Sequence, residues 1–526
     1  MAVDRSGGAG RPWLVEWAVA GVATVIAASL TVAALTRGHA LWRDEVNSVA
    51  TASASSVAEL WRLLEFESFP ALWLVTLRGW MAVAGATDGA LRLWGAAGLL
   101  ALVAAIWLAP RRSQTHGIPL VGLALFAVNA DALAWGATVR AWSVGAALAI
   151  VAWIAMRDLV TRTSRRSIVL AVIACVAASQ TTYQNAVFVA AFAGAASLSL
   201  WRDGSSRRAL IPPAVAAVSA ASLLIYAPAL VRRAAWIDVS QQPINLAQLL
   251  ARLGEVLSAS GPVAAATWGL ALIAALLVAL PRRGPDGYVA LSLVFSISGL
   301  LTFYLIFGYP TQQWYYLALL AIMAVAIDAA LAIPTETVWR AARVAVAGAV
   351  VATSLGRALT RSADPFTNID VVGTRLSRDA GPSDLVIANP WYLGVSLHRY
   401  YTGAARVRAV PSSVDTRVHR FDLVKVAMQN NDPMRSLLGE IQQTLESGHR
   451  VWVVGGVTDA PPGTITALPL PPLPQTGWNS GPYEAVWSFA LARLLREHAV
   501  DRLDIPAATG ASSLERADLA VFRGWH

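Results

Sequence analysis

The chain alternates long apolar stretches with short polar connections, and then changes rhythm in its last third. Windows long enough to cross a hydrocarbon core, roughly 17 to 25 residues each, lie near residues 13–36, 88–110, 118–137, 139–156, 167–182, 185–201, 209–231, 262–280, 287–308, 313–333 and 340–356. They predict about eleven transmembrane helices. The first follows Arg5 and Arg11 and lacks a small-residue cleavage site, so it reads as a retained span. A further apolar stretch, 68–86, carries Arg78 and Gly79 in mid-segment. If it does not cross, the connections holding Arg111 and Arg112, residues 157–166, 202–208, Arg282 and Arg283, and 340–343 all fall on the N-terminal, cytoplasmic side. If it crosses, they all fall outside, against the positive-inside bias, unless the N-terminus itself is flipped. The stretch is therefore read as a juxtamembrane or re-entrant segment.

Two regions follow other periods. Residues 55–66 open with Ser56 and Glu59 in capping-box spacing and place Val57, Leu60, Trp61 and Leu64 on one face, predicting a short helix in the headgroup plane. After residue 356 the runs 384–389, 406–411, 450–456 and 518–524 read as buried strands, with helical patterns at 391–401, 436–448 and 484–498 between them. Strands alternating with helices imply a small α/β domain. Residues 461–482 hold most of its prolines and read as a long loop. The predicted organisation is a transmembrane domain over 1–356, whose loop 37–87 is extracytoplasmic, followed by an extracytoplasmic soluble α/β domain over 357–526.

Composition agrees with this class, since 56% hydrophobic and 14% charged residues over 526 positions exceed what a soluble domain carries. The net charge of +9 sits largely on arginines in short connections, so it is topological and gives no reason to expect nucleic acid. The single cysteine, Cys175, excludes an intrachain disulfide and a cysteine metal site. The seven histidines show no close pairing of the zinc-binding kind.

Three groups could carry chemistry. Asp44 and Glu45 follow the first span, with Glu65 and Glu67 about twenty residues on. Carboxylates partly desolvated at a membrane edge can serve as a general base, or as a pair hold a hard divalent cation such as Mg or Mn; solvated carboxylates there are also ordinary. The connection 128–144 brings Asn129, Asp131 and Arg140 to the same predicted face as Asp44. Arginine suits a phosphate because its planar fork donates two parallel bonds, although Arg140 could equally snorkel to headgroups. Gln312 and Gln313 lie in an aromatic-rich outward connection, where a substrate-binding role competes with an interfacial belt. Trp391, Tyr392, His398, Tyr400 and Tyr401 could stack on a sugar, but core packing is the simpler reading.

These residues resemble those of the GT-C glycosyltransferases, membrane enzymes that take sugars from polyprenyl-phosphate carriers, and most of all the bacterial branch of protein O-mannosyltransferases and the aminoarabinose transferase of lipid A. Members show an Asp-Glu pair after the first span, matched by Asp44 and Glu45. An acidic-x-His-Pro-Pro segment follows, here Glu67-Ser-Phe69-Pro70-Ala71, and an Arg-led span, here at Arg92. A later Glu-x-Arg-x-Tyr segment is matched in part by Thr138-Val-Arg140-Ala-Trp142. Phe69, Ala71 and Thr138 depart from the pattern. The resemblance covers about the first 330 residues and implies an inverting transferase in the inner (cytoplasmic) membrane. It implies a polyprenyl-phosphate-linked sugar as donor, a glycan, lipid or protein acceptor, and no redox or nucleotide cofactor. In that reading Asp44 activates the acceptor hydroxyl, Glu45 assists it or helps hold a cation, and Arg140 meets the leaving phosphate. A transporter or flippase of lipid-linked saccharides, or a surface-polysaccharide polymerase or ligase, are the alternatives.

Overall fold

The structure, a computed structural model, describes residues 11–36, 40–111, 117–241, 244–308, 310–361, 364–461, 463–506 and 514–526. Arg5 and Arg112, cited above, lie outside the described residues. The chain forms two compact units, one of Met1–Gly38, Ser68–Ala227 and Pro243–Ala363, the other of His39–Glu67, Pro228–Gln242 and Asp364–His526. These are not the contiguous domains 1–356 and 357–526 predicted above. The reason lies in where the backbone of the carboxylate loop finds partners: the Leu41 N–H donates to the Tyr400 hydroxyl at 2.6 Å and the Arg43 N–H to Glu515 at 3.3 Å.

Eight helices among the described residues are long and apolar enough to cross a membrane: Leu14–Thr36, Asp88–Arg111, Trp142–Thr161, Arg208–Ala234, Pro262–Ala279, Gly284–Phe307, Gln313–Leu331 and Thr337–Arg361. The other three predicted spans are shorter, interrupted or less apolar. Residues 167–182 fall in the 15-residue helix Arg165–Ser179, and 185–201 in the 18-residue helix Asn185–Arg202. The window 118–137 is two seven-residue helices, Val121–Ala127 and Ala130–Gly136. Asn129 causes that break, because its carboxamide oxygen caps the second helix at Ala132 N (2.8 Å) while its Nδ2 donates to Val256 O at 2.9 Å. Ala71–Ala84, within the stretch 68–86, has 14 residues and falls short of a span.

The helix Leu317–Leu331 is buried along its whole length. Close approach there needs small residues: a Cβ on Gly122 would lie 2.0 Å from the Ala324 carbonyl oxygen. Buried charges fix the ends of the bundle. Asp328 accepts from the N–H groups of Leu120, Gly122 and Leu123 at 2.9–3.0 Å, which satisfies the orphan donors of the first short helix. Glu16 pairs with Arg340 through two hydrogen bonds, and Arg343 donates to Ile118 O at 2.8 Å. At the far end of helix Thr337–Arg361, Arg361 stands 3.8 Å from Asp131.

The second unit is built on a five-stranded sheet. Strands β1 (Leu385–Asn389), β2 (Arg406–Ala409), β3 (Val451–Gly455), β4 (Ala499–Ile505) and β5 (Leu519–Trp525) lie in the order β2-β1-β3-β5-β4. The first three are parallel and the last two join antiparallel. β1 and β3 are wholly buried, as expected of central parallel strands, and match two of the predicted runs. The pattern gave no sign of β4, an exposed edge strand whose Asp501, Arg502 and Asp504 read as loop. Ile369, Leu376, Trp452 and Val521 lie at the centre of its core.

The predicted capping box at Ser56 is half present. Ser56 Oγ accepts from the Glu59 N–H at 3.1 Å, but Glu59 reaches back to the Ser55 N–H at 2.7 Å rather than to that of Ser56. Leu60 and Leu64 are buried as expected, whereas Val57 is 75% exposed.

Candidate active site

The adjacent carboxylates at 44 and 45 have different surroundings because successive helical residues diverge by about 100°. Trp42 is extended and helix Arg43–Ala52 begins after it. Glu45, at the third helical position, folds back to accept from the Trp42 N–H at 3.1 Å and is fully buried. It therefore does the work of an N-terminal cap. Asp44 points elsewhere, with its side chain 20% exposed, Arg43 Nε at 3.5 Å and His419 Nε2 at 3.7 Å from Oδ1. The Arg43 guanidinium lies over the Tyr392 ring, 4.5 Å from its centre.

One turn beyond Asp44, Asn47 links this carboxylate's surroundings to Glu67. Asn47 Oδ1 accepts from the His419 N–H at 2.8 Å, and its Nδ2 donates to Glu67 Oε2 at 3.2 Å. Ser48 Oγ donates to the same oxygen at 2.8 Å, and Arg233 donates to the Glu67 carbonyl at 2.7 Å. Glu67 is 1% exposed, so this carboxylate organises the loop more than it meets solvent. Glu65 is paired with Arg232. Beside these groups a stack of aromatic rings runs from Phe66 through Trp236 to Phe421, at centre spacings of 5.8 and 6.0 Å.

Sequence reasoning missed Asn47, Ser48 and His419. Asn47 had a signal, being three residues after Asp44 and so on the same helical face. His419 had none, since only the fold brings it to Asp44. Among the described residues no three His, Cys, Asp or Glu side chains gather as a metal site would need. Glu45 accepts from the Trp42 N–H through one of its two oxygens, and no step below runs through a cation.

In the membrane unit, Arg140 precedes helix Trp142–Thr161 and is only 5% exposed. Its guanidinium lies 4.5 Å from the centre of the Phe69 ring, which meets Trp142 edge-on at 4.8 Å. Trp142 in turn meets Tyr315 edge-on at 5.2 Å. A snorkelling arginine leaves its head in water; this one is held on an aromatic face, the geometry of a cation–π contact. Phe69, one of the departures from the family pattern, is the ring that supports it.

The remaining candidates are dispersed. Asp131 is near Arg361, and Gln312 and Gln313 are half-buried at the start of a short 3₁₀ turn. Two other glutamines hold the polar contacts of this region. Gln184 donates to Tyr315 O at 2.8 Å and accepts from the Tyr304 hydroxyl at 2.9 Å. Gln180 accepts from the Tyr226 hydroxyl, which itself accepts from the Ala71 N–H at 3.1 Å. In the sheet unit Trp391 is fully buried, in keeping with a packing role.

No family model matches the chain, and no curated protein matches it in sequence. Its structure is similar to that of ArnT from Cupriavidus metallidurans bound to undecaprenyl phosphate, with a TM-score of 0.55 and 12% identity over 98% of each chain. The apo state of the same protein gives 0.55 and 12%, covering 96% of this chain and 98% of that one. Arabinosyltransferase EmbB from Mycobacterium smegmatis matches with a TM-score of 0.37 and 17% identity, over 60% of this chain and 30% of that one. The chain is a multi-pass membrane protein with the GT-C fold of ArnT.

Proposed function

We propose that this protein is an inverting glycosyltransferase that moves a sugar from a polyprenyl-phosphate donor to a hydroxyl of an extracytoplasmic glycan, lipid or protein. The observation that carries the reading is the likeness to ArnT along 98% of both chains, in a form that ArnT takes with undecaprenyl phosphate bound. In this reading the acceptor oxygen forms its bond to the anomeric carbon while the bond from that carbon to the phosphate oxygen breaks. Asp44 takes the acceptor's proton, being the partly exposed member of the adjacent pair Asp44 and Glu45. Arg43 and His419 border it and would hold its orientation. Charge grows on the departing phosphate, and Arg140 meets it with two donors in one plane. The polyprenyl phosphate leaves intact, so the donor supplies its own activation.

The decisive experiment is transfer by purified Asp44→Asn given a polyprenyl-phosphate sugar. Asparagine keeps size and hydrogen bonding but cannot take a proton, so turnover should fall by about 10² to 10⁴ while donor binding persists. A folded variant that transfers at the wild-type rate would remove Asp44 from the chemistry. A wild-type protein that moves the lipid across vesicles without transferring sugar would favour a flippase.

A further inference from the structure

A groove of about 820 Å³ opens in the membrane unit, lined by none of the residues placed in the candidate site. Helices Trp142–Thr161 and Arg165–Ser179 form its walls. Its length is apolar, with Leu108, Val151, Leu170 and Ile173 all more than a third exposed. Its end is polar, where Arg162 and Arg166 meet the hydroxyls of Thr161, Ser164 and Ser167. Asp158 is the acidic side chain in the lining. Against it stand Arg162 and Arg166, and Arg208 is tied to the same connection by its hydrogen bond to Thr163 Oγ1 at 2.9 Å. The polar end is therefore net positive.

The dimensions select a ligand. From Leu148 to Thr161 a helix rises roughly 20 Å at 1.5 Å per residue, about one leaflet of a 30 Å hydrocarbon core with its interface. Apolar walls for one leaflet, closed by arginines and hydroxyls at headgroup level, match one lipid with an anionic head. Basic pockets between spanning helices on the cytoplasmic side bind such headgroups. We propose that this groove is a specific site for an anionic glycerophospholipid, its phosphate at Arg162 and Arg166 and an acyl chain along Val151, Ile154, Leu170 and Ile173. A long polyprenyl chain would overrun a groove of one leaflet's depth, so the site is assigned to a bilayer lipid and not to the donor. The inference is independent of the proposed transfer.

The test is native mass spectrometry of the full-length protein released from detergent after titration with phosphatidylglycerol, phosphatidylcholine or undecaprenyl phosphate. Wild type should retain phosphatidylglycerol in preference to phosphatidylcholine. Arg162→Ala/Arg166→Ala should weaken that retention about tenfold or more, while Arg202→Ala/Arg207→Ala, in another basic connection, should leave it unchanged. Leu170→Trp, which fills the apolar wall without touching a charge, should weaken it as well and decides the matter if the double variant fails to fold. Equal retention of the two phospholipids, retention unaffected by either groove variant, or preferential capture of undecaprenyl phosphate lost in Leu170→Trp would each overturn the proposal.

Discussion

Arg140 and Glu515 are buried ionisable side chains, one in each unit. Arg140 is 5% exposed, with its guanidinium over the Phe69 ring, a face that favours a cation. Lysine keeps the charge but offers neither the flat guanidinium nor two parallel donors. Arg140→Lys should therefore lower turnover at least about tenfold, the equivalent of roughly 1.4 kcal/mol of transition-state stabilisation, in kinetics on purified protein; unchanged turnover and donor affinity would release Arg140 from the phosphate. Glu515 is the opposite case. Burial pushes its carboxyl up to about 7, against the opposing pull of Arg43 and of hydrogen bonds from Ser396, Thr367 and the Arg43 N–H. Between the ordinary 4.5 and about 7 the folded state then binds the more protons, so stability falls as pH rises through that window and the loss is complete above it. The shift corresponds to at most about 3 kcal/mol. Glu515→Gln should flatten the dependence of Tm on pH between 5 and 8, roughly the window just named, and raise Tm at its upper end. An unaltered slope would mean that another group titrates there.

Helix Arg43–Ala52 separates the two carboxylates of a short acidic motif. Its third residue caps and its second is partly exposed, so two carboxylates alike in sequence have different surroundings. Glu45→Gln retains an oxygen for the Trp42 N–H and should transfer sugar and melt almost as wild type does. Glu45→Ala leaves that donor unsatisfied, costing about 1 to 3 kcal/mol, and should lose both stability and turnover as Asp44 shifts. If Glu45 instead shared a cation with Asp44, Gln would be as damaging as Asp44→Asn and chelation would stop the wild type. This element also marks how far the sequence could be read. Long apolar helices and the buried strands β1 and β3 were legible because a helix that faces lipid or protein all round, like a strand buried on both faces, leaves an unbroken apolar run. The interrupted window 118–137 was not, since Asn129 reads as one polar residue in an apolar stretch until its two bonds are seen. Asp44 and Arg140 could be singled out by type and position. The environment of Asp44, with His419 and Asn47 beside it, depends on a sheet unit assembled from three separate segments and is invisible to local patterns.

At the scale of the whole molecule, the bundle's ion pairs determine the parity of the crossings. Glu16, near the start of the first spanning helix, pairs with Arg340, near the start of helix Thr337–Arg361. Both helices therefore begin at the same membrane face, and the last ends at the opposite one. The broken pair of short helices passes between the same two faces: Ile118 is held by Arg343 at one end, and Asp131 is near Arg361 at the other. From Arg343 to Arg361 a helix rises roughly 27 Å, close to the thickness of a hydrocarbon core, so the segment from Ile118 to Asp131 that runs between the same two ends would count as one crossing. Counting only the eight long helices would make the total even and would put the arginines of 162–166, 202–208, 282–283 and 340–343 on the face opposite the N-terminus. Counting the three shorter spans as well returns those arginines to the N-terminal face. On the positive-inside bias that face would be the cytoplasmic one, and residues 364–526 would lie outside. Alkaline phosphatase fused after His526 should then be active in intact cells, and a cytoplasmic reporter at the same point should be silent. The reverse result would require either an even number of crossings, against the pairing of Glu16 with Arg340, or an N-terminus outside, against the positive-inside bias, and would place His419 where an extracytoplasmic acceptor could not reach it.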